Sequence, residues 1–250
     1  MSNSTSLNLA GKTALITGAS GGIGGETARR LARAGINVAL HYNSNRAPAD
    51  ALVEEIVAAG GKAVAIQGDV TLEADCKALV AMTVEAFGGL DILINNAGIS
   101  SAKPFGEMTG EMIDREFAVN VKSVILMTQA AAPHLENGGR VVNLSSNLAF
   151  APLPGMTAYC AAKSAVACLT QGFAKELGPK GIAVNAVAPG ATKTQMTAWI
   201  PDEMMQGIAD STPFGRVAEP DDIADVIVFL ASQEARWVNG RSVMVDGGLV

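Results

Sequence analysis

The sequence is poor in the residues that build metal centres and disulfide frameworks. It holds two histidines, His41 and His134, and three cysteines, Cys76, Cys160 and Cys168. The cysteines are odd in number and form no CxxC pair, which argues against a disulfide framework or a zinc knuckle. No HExxH helix is present, so a zinc hydrolase is disfavoured and the chain is expected to work without a metal. Aromatics are scarce, at seven Phe, two Trp and two Tyr, and charged residues make up only 17%. The 18 basic and 24 acidic residues give a formal net charge of −6. Such a chain lacks the basic face of a general nucleic-acid or anionic-membrane binder, and neither partner is expected. An apolar content of 49% beside so little charge excludes a disordered chain. Long unbroken apolar runs are missing too. The longest uncharged stretch, Val141 to Ala162, is interrupted by Asn143, Ser145, Ser146, Asn147, Pro152, Pro154 and Gly155, and cannot be a membrane helix. The first eight residues have neither the basic start nor the apolar core of a signal peptide, so a cytoplasmic location is expected.

What remains is an Ala-, Gly- and Val-rich chain of 250 residues, a length that fits one large α/β domain over 1–250. Short β-branched runs alternate with helical patterns, which predicts a doubly wound parallel sheet of seven strands covered by helices on both faces. The strands are read at Lys12–Thr17, Asn37–Tyr42, Lys62–Gln67, Leu90–Ile94, Arg140–Leu144, Ile182–Val187 and Ser242–Val245. Helices are read at Ile23–Ala34, Pro48–Ala59, Glu73–Phe87, Glu111–Leu135, Met156–Leu177 and Asp221–Leu230. The segment from Gly190 to Val217 is irregular, with Met196, Trp199, Ile200, Met204, Met205 and Phe214 among polar residues and two prolines. It reads either as a surface excursion with a small core of its own or as a lid over a substrate.

The first strand runs into Thr17-Gly-Ala-Ser-Gly-Gly-Ile-Gly24, which opens a helix. Glycines let the backbone turn sharply and approach a pyrophosphate, whose charge is met by free N–H groups at the helix start. Tyr159 and Lys163 stand four apart on one face of a predicted helix. Their neighbours are almost wholly apolar, so the lysine is expected to be partly buried. Its charge should lower the phenol's pKa from about 10 and make Tyr159 a usable proton donor or acceptor.

Together these motifs resemble the short-chain dehydrogenase/reductases, in their single-domain branch, over Lys12 to Gly248. The resemblance rests on TGxxxGxG at Thr17–Gly24, Asp69-Val70, NNAG at Asn95–Gly98, and Asn120. It continues through Ser146, the YxxxK pair Tyr159/Lys163, Pro189-Gly190 leading to Thr194, and Asp246-Gly-Gly248. It implies a Rossmann fold and an oxidoreductase. Ser146, thirteen residues before Tyr159 and preferred over Ser145, would hydrogen-bond the substrate carbonyl. Tyr159 would pass the proton, Lys163 would bind the nicotinamide ribose and depress the Tyr159 pKa, and Asn120 would hold a water linking Lys163 to solvent. The resemblance places the cofactor on Gly18, Ser20, Gly22, Ile23 and Gly24, on Asp69 and Val70 at the adenine, and on Asn96, Ala97 and Gly98 at the ribose. Pro189 and Gly190 lead to Thr192 and Thr194, which would anchor the carboxamide and pyrophosphate. A homotetramer through the Met156–Leu177 and Ser123–Leu135 helices is also implied.

A carboxylate at the end of the second strand would accept from the ribose of NAD and repel a 2′-phosphate. Here that place is Tyr42, followed by Asn43, Ser44, Asn45 and Arg46. No acid is present, which favours NADP (NADPH), with NAD as the alternative. Gly21 stands where NADP-preferring relatives often carry a basic residue, leaving Arg46 as the charge for the phosphate. The expected activity is NADPH-dependent reduction of a neutral, moderately hydrophobic ketone, a carbonyl reductase in effect. Alternatives are a 3-oxoacyl-[acyl-carrier-protein] reductase, a sugar or polyol dehydrogenase, and a catalytically dead nucleotide-binding regulator. No Lys or Arg falls between Ser123 and Gly139 to receive an acidic carrier, and the intact Ser146, Tyr159 and Lys163 speak against the dead regulator.

Overall fold

The computed structural model describes residues 9–250; the first eight, on which the signal-peptide reading rests, lie outside the described residues. All seven strands pair in parallel in one sheet, in the order β3-β2-β1-β4-β5-β6-β7. They are β1 (Thr13–Ile16), β2 (Asn37–Tyr42), β3 (Lys62–Gln67), β4 (Ile92–Asn95), β5 (Arg140–Leu144), β6 (Ala183–Pro189) and β7 (Ser242–Val245). The helices are α1 (Gly22–Arg33), α2 (Ala47–Ala58), α3 (Glu73–Phe87), α4 (Gly110–Phe117), α5 (Ser123–Ala131), α6 (Thr157–Leu177), α7 (Asp202–Ser211) and α8 (Pro220–Ala231).

Side chains of a strand point alternately to opposite faces, and the central strands use both. Ala14 and Ile16 of β1, Ile92 and Ile94 of β4 and Val142 of β5 face one core, closed by Ala28 and Leu31 of α1 and Ile223 and Ile227 of α8. Leu15, Leu93 and Val141 face the other, closed by Leu79 and Val80 of α3 and Met127 and Ala131 of α5. Each fully buried Leu or Ile contributes roughly 1.5–3 kcal/mol. A polar residue slipped into either row would cost a strand its place. Caps fix the helix starts: α8 begins with Pro220, and the Glu219 N–H donates to Asp222 Oδ2 at 2.8 Å in a capping box.

Two departures from the sequence reading bear on function. The single helix expected over Glu111–Leu135 is interrupted by a π turn at Ala118–Lys122 and ends at Ala131. The irregular Gly190–Val217 segment contains a full helix, α7. The strand order reverses between β1 and β4, where parallel-sheet proteins open a crevice at the carboxyl ends of their strands.

Candidate active site

The turns after β1 and β4 are joined through one hydroxyl. Thr17 Oγ1 accepts the N–H groups of Asn96 and Ala97, both at 3.0 Å, and donates to the Ile94 carbonyl at 3.3 Å. Asn96 Nδ2 answers by donating to the carbonyls of Thr17 (2.9 Å) and Gly18 (2.8 Å). Gly24 is packed so closely on this pair that a Cβ would stand 2.7 Å from the Gly18 carbonyl oxygen. Helix α1 starts behind Gly21 with no side-chain cap and no acid in its first turn. Its first N–H groups are therefore open to an anion, which is what a pyrophosphate needs. Ser20 and Ile23 are partly buried in the same turn, and Thr194 Cγ2 covers it, 3.2 Å from where a Cβ on Gly22 would point.

Chemistry gathers where α6 packs beside the end of β5. Lys163 is buried, with Nζ donating to the Leu144 carbonyl at 2.8 Å and lying 5.7 Å from the centre of the Tyr159 ring. Ser146 ends β5 beside the phenol, its Oγ accepting from Leu148 N at 3.2 Å. The neighbouring Ser145 turns away and donates to the Lys163 carbonyl at 2.9 Å. Geometry thus leaves Ser146, not Ser145, facing Tyr159. Asn120 sits in the π turn. Its Nδ2 donates to the Ile99 carbonyl (2.9 Å) and to Glu116 Oε1 (3.2 Å), while its Oδ1 accepts from Ile99 N (3.1 Å). A Cβ on Gly98 would stand 2.9 Å from Asn120 Oδ1 and 3.5 Å from Lys163 Nζ, so glycine is what leaves Asn120 in place.

The proton affinities differ from the sequence expectation. Burial pushes the Tyr159 phenol up to about 12, opposed by Ser146 and reinforced by the charge of Glu116. Lys163 is pushed down to about 8, chiefly by its own burial, against the pull of Glu116. Lys163 is not among the groups that set this shift; its ammonium donates to the Leu144 carbonyl. At neutral pH Tyr159 therefore carries its proton, the form a donor needs.

At the turn after β3, where the adenosine is expected, Asp69 Oδ1 accepts from Thr71 N (2.9 Å) and Oγ1 (2.7 Å), and Val70 is buried. Tyr42 is only 5% exposed and belongs to the wall, whereas Asn43, Ser44, Asn45 and Arg46 are exposed. The rim at which a 2′-phosphate would be read is thus Asn43–Arg46 and not the Tyr42 side chain. Arg46 is held by Asp50 at 2.9 Å. On the other side, Gly190, next to Pro189, backs onto Asp246 at the end of β7, 3.0 Å from Cβ position to Asp246 Cα. Thr192 is buried and donates to the Gly190 carbonyl at 3.0 Å. A cavity of about 360 Å³ lies beneath the 190–217 excursion, lined by Ala191, Ile208, Thr212, Phe214 and Met244. It does not include Ser146, Tyr159 or Lys163.

Two residues of this site carry no signal that the sequence reading caught. His41 accepts from Gly18 N through Nδ1 (3.0 Å), and its Nε2 meets the Gly68 carbonyl at 2.9 Å. Glu116 is 1% exposed. Its position four residues before Asn120, on the same helical face, was the available clue.

A family model described as enoyl-(acyl carrier protein) reductase matches residues 18–250. An uncharacterized oxidoreductase of Methylorubrum extorquens is 45% identical over 96% of this chain and 98% of its own length. A hydroxynaphthalene reductase-like protein of Metarhizium guizhouense is 41% identical over 100% of this chain and 98% of its own. A short-chain dehydrogenase from Burkholderia cenocepacia, solved in complex with NADP, superposes with a TM-score of 0.92 at 42% identity, covering 96% of this chain and 98% of that one. The chain belongs to the short-chain dehydrogenase/reductase family, and it is an oxidoreductase with that family's Rossmann fold.

Among the described residues no helix is long and apolar enough to cross a membrane.

Proposed function

We propose that the protein is an NADPH-dependent reductase of neutral, moderately hydrophobic ketones. The observation that carries this reading is the convergence of Ser146, Tyr159 and Lys163 beside a glycine turn whose helix N-terminus is free for a pyrophosphate. NADPH, when bound, supplies a hydride to the carbonyl carbon. The Ser146 hydroxyl donates to the carbonyl oxygen and Tyr159 delivers the proton that makes it an alcohol. Lys163 returns a proton to the phenolate and holds the nicotinamide ribose, with Asn120 fixing the backbone beside it. NADPH is preferred to NADH because the exposed Asn43–Arg46 rim contains no carboxylate to repel a 2′-phosphate. The relative solved with NADP supports that preference.

The substrate class follows from the mouth. The loop 100–105 is joined to the loop 147–156 where Lys103 N donates to the Gly155 carbonyl at 2.8 Å. Phe105, Phe150 and Leu153 stand exposed on these loops, and Met196 and Trp199 on the 190–217 excursion, which would act as a lid. Lys193 is paired with Glu219 at 2.6 Å and does not serve as a clamp for an anionic substrate. A reductase-like relative named for hydroxynaphthalene fits the same class. The working unit is a homotetramer, which would cover the exposed outer faces of α6 and the helix before β5.

A panel of neutral, carboxylated and phosphorylated ketones assayed with NADPH and NADH tests this. Turnover of neutral ketones with NADPH is expected. Preference for acidic substrates, or for NADH, would overturn the corresponding half.

A further inference from the structure

Glu116 is the one carboxyl set inside the chemistry of the site, and the mechanism above does not use it. Its Oε1 accepts from Asn120 Nδ2 at 3.2 Å, while Oε2 is buried with only the neutral Ser101 beside it. A carboxylate taken from water among neutral partners alone still costs several kcal/mol unless an opposite charge compensates it. The charged groups of its own helix cannot do so, because Glu111, Asp114 and Arg115 are exposed, as is Lys122 in the following turn. From α6, which packs against α4, the facing titratable groups are Lys163 and Tyr159. Ser101, from the loop after β4, reaches the carboxyl with side chain and backbone and holds its proton affinity down, while the Lys163 ammonium acts on it across more than 4 Å. Lys163 donates to the Leu144 carbonyl and has two further N–H groups, and its Nζ borders the same Gly98 gap as Asn120.

We propose that Glu116 is the counter-carboxylate of Lys163: positioned by Asn120, it keeps the ammonium charged in a site that would otherwise strip its proton, and through Lys163 it sets the upper pH limit of the reduction. Glu116 touches neither substrate nor cofactor, so it is a positioning residue. The shifts agree in sign. Burial raises Glu116 and lowers Lys163, and each charge opposes the other's shift. A purely structural carboxyl, present to anchor Asn120, would be replaced by an amide without consequence for the lysine.

This rests on the proton-transfer reading of Tyr159 and Lys163, and the test separates the two. Glu116→Gln keeps an oxygen for Asn120 but loses the charge. Rates of NADPH-dependent reduction are measured from about pH 6 to 10 for wild type, Glu116→Gln and Tyr159→Phe. The alkaline limb of Glu116→Gln is expected to move to lower pH by about one unit, as for loss of a nearby opposite charge. Superposable profiles, or a shift to higher pH, overturn the proposal while an inactive Tyr159→Phe leaves the proton-transfer reading standing. An active Tyr159→Phe overturns that reading itself. Melting of Glu116→Gln, Lys163→Met and the double variant gives a second readout. Paired charges predict that the double variant is more stable than the two single losses added together, or folds where a single one does not. Additive losses, or failure of all three to fold, overturn the pairing.

Discussion

The His41 imidazole accepts the backbone N–H of Gly18 at 3.0 Å through Nδ1, which leaves Nε2 to donate its proton to the Gly68 carbonyl at 2.9 Å. One neutral tautomer thereby ties the ends of β1 and β3 together beneath the glycine turn. Replacing it with Leu leaves two partly buried backbone groups without their partner, at a cost of up to about 1–3 kcal/mol each. His41→Leu should unfold at lower denaturant and bind NADPH more weakly. Burial also lowers the His41 pKa. Its contribution is fully present above the unfolded value of about 6.5 and is lost as pH falls through the lower folded value. Melting measured from neutral to mildly acidic pH should show that decline in wild type, and less of it in His41→Leu.

Tyr159→Phe removes only the proton. Turnover should drop by about 10²–10⁴-fold while NADPH affinity, followed by its fluorescence, stays near wild type. Retention of more than about half the activity would remove Tyr159 from the mechanism.

Lys163 is pushed down to about 8, so on the proposed mechanism it should limit the wild-type enzyme on the alkaline side. Reduction should decline as pH rises through about 8, because the neutral amine cannot return a proton to Tyr159. Lys163→Ala should lose both activity and cofactor affinity. Unchanged affinity together with an unchanged pH profile would reject the dual role.

Cofactor preference is best probed at the exposed rim. Ser44→Asp places a carboxylate near the expected 2′-phosphate. Charges about 4 Å apart repel by roughly 4 kcal/mol at an effective dielectric near 20, and solvent and salt reduce this to about 1–2 kcal/mol. The ratio of kcat/KM for NADPH over NADH should fall about tenfold. Tyr42→Asp is a poorer probe, because that side chain is buried and its replacement would damage the wall.

Light scattering at micromolar concentration should give the mass of a tetramer. Cys168 is exposed on the outer face of α6, and a Cβ on nearby Gly172 meets nothing within 4 Å in the single chain. Gly172→Arg should therefore fold yet reduce the mass. A monomeric wild type would dismiss the assembly.

The sheet was legible because its signals are local. The boundaries of β2, β3, β5, β7 and α3 coincide with the β-branched and amphipathic runs that mark them. The π turn was not, because AVNVK continues the apolar pattern and a wider turn leaves no compositional trace. Helix α7 was hidden by Pro201 and Pro213 at its flanks, which made its Met204, Met205 and Ile208 look like scattered residues. In the site, Tyr159 and Lys163 could be paired by spacing alone, whereas the proton affinity of the phenol is set chiefly by its burial. Glu116 looked like any carboxylate on a solvated helix, since burial is decided by α6, some forty residues further along the chain.

The reversal of strand order between β1 and β4 divides labour across the crevice. On the proposed reading, adenosine recognition falls to β1–β3 and their loops, and proton handling to the elements after β4. The Asn43 carbonyl accepts from Gln67 Nε2 and Arg46 Nε donates to Asp50, and among the described residues no bond of this rim reaches Asn120, Ser146, Tyr159 or Lys163. A lineage, or an engineer, can retune the cofactor without retuning the chemistry. Changes made on the two flanks should combine as independent modules, their effects on kcat/KM multiplying.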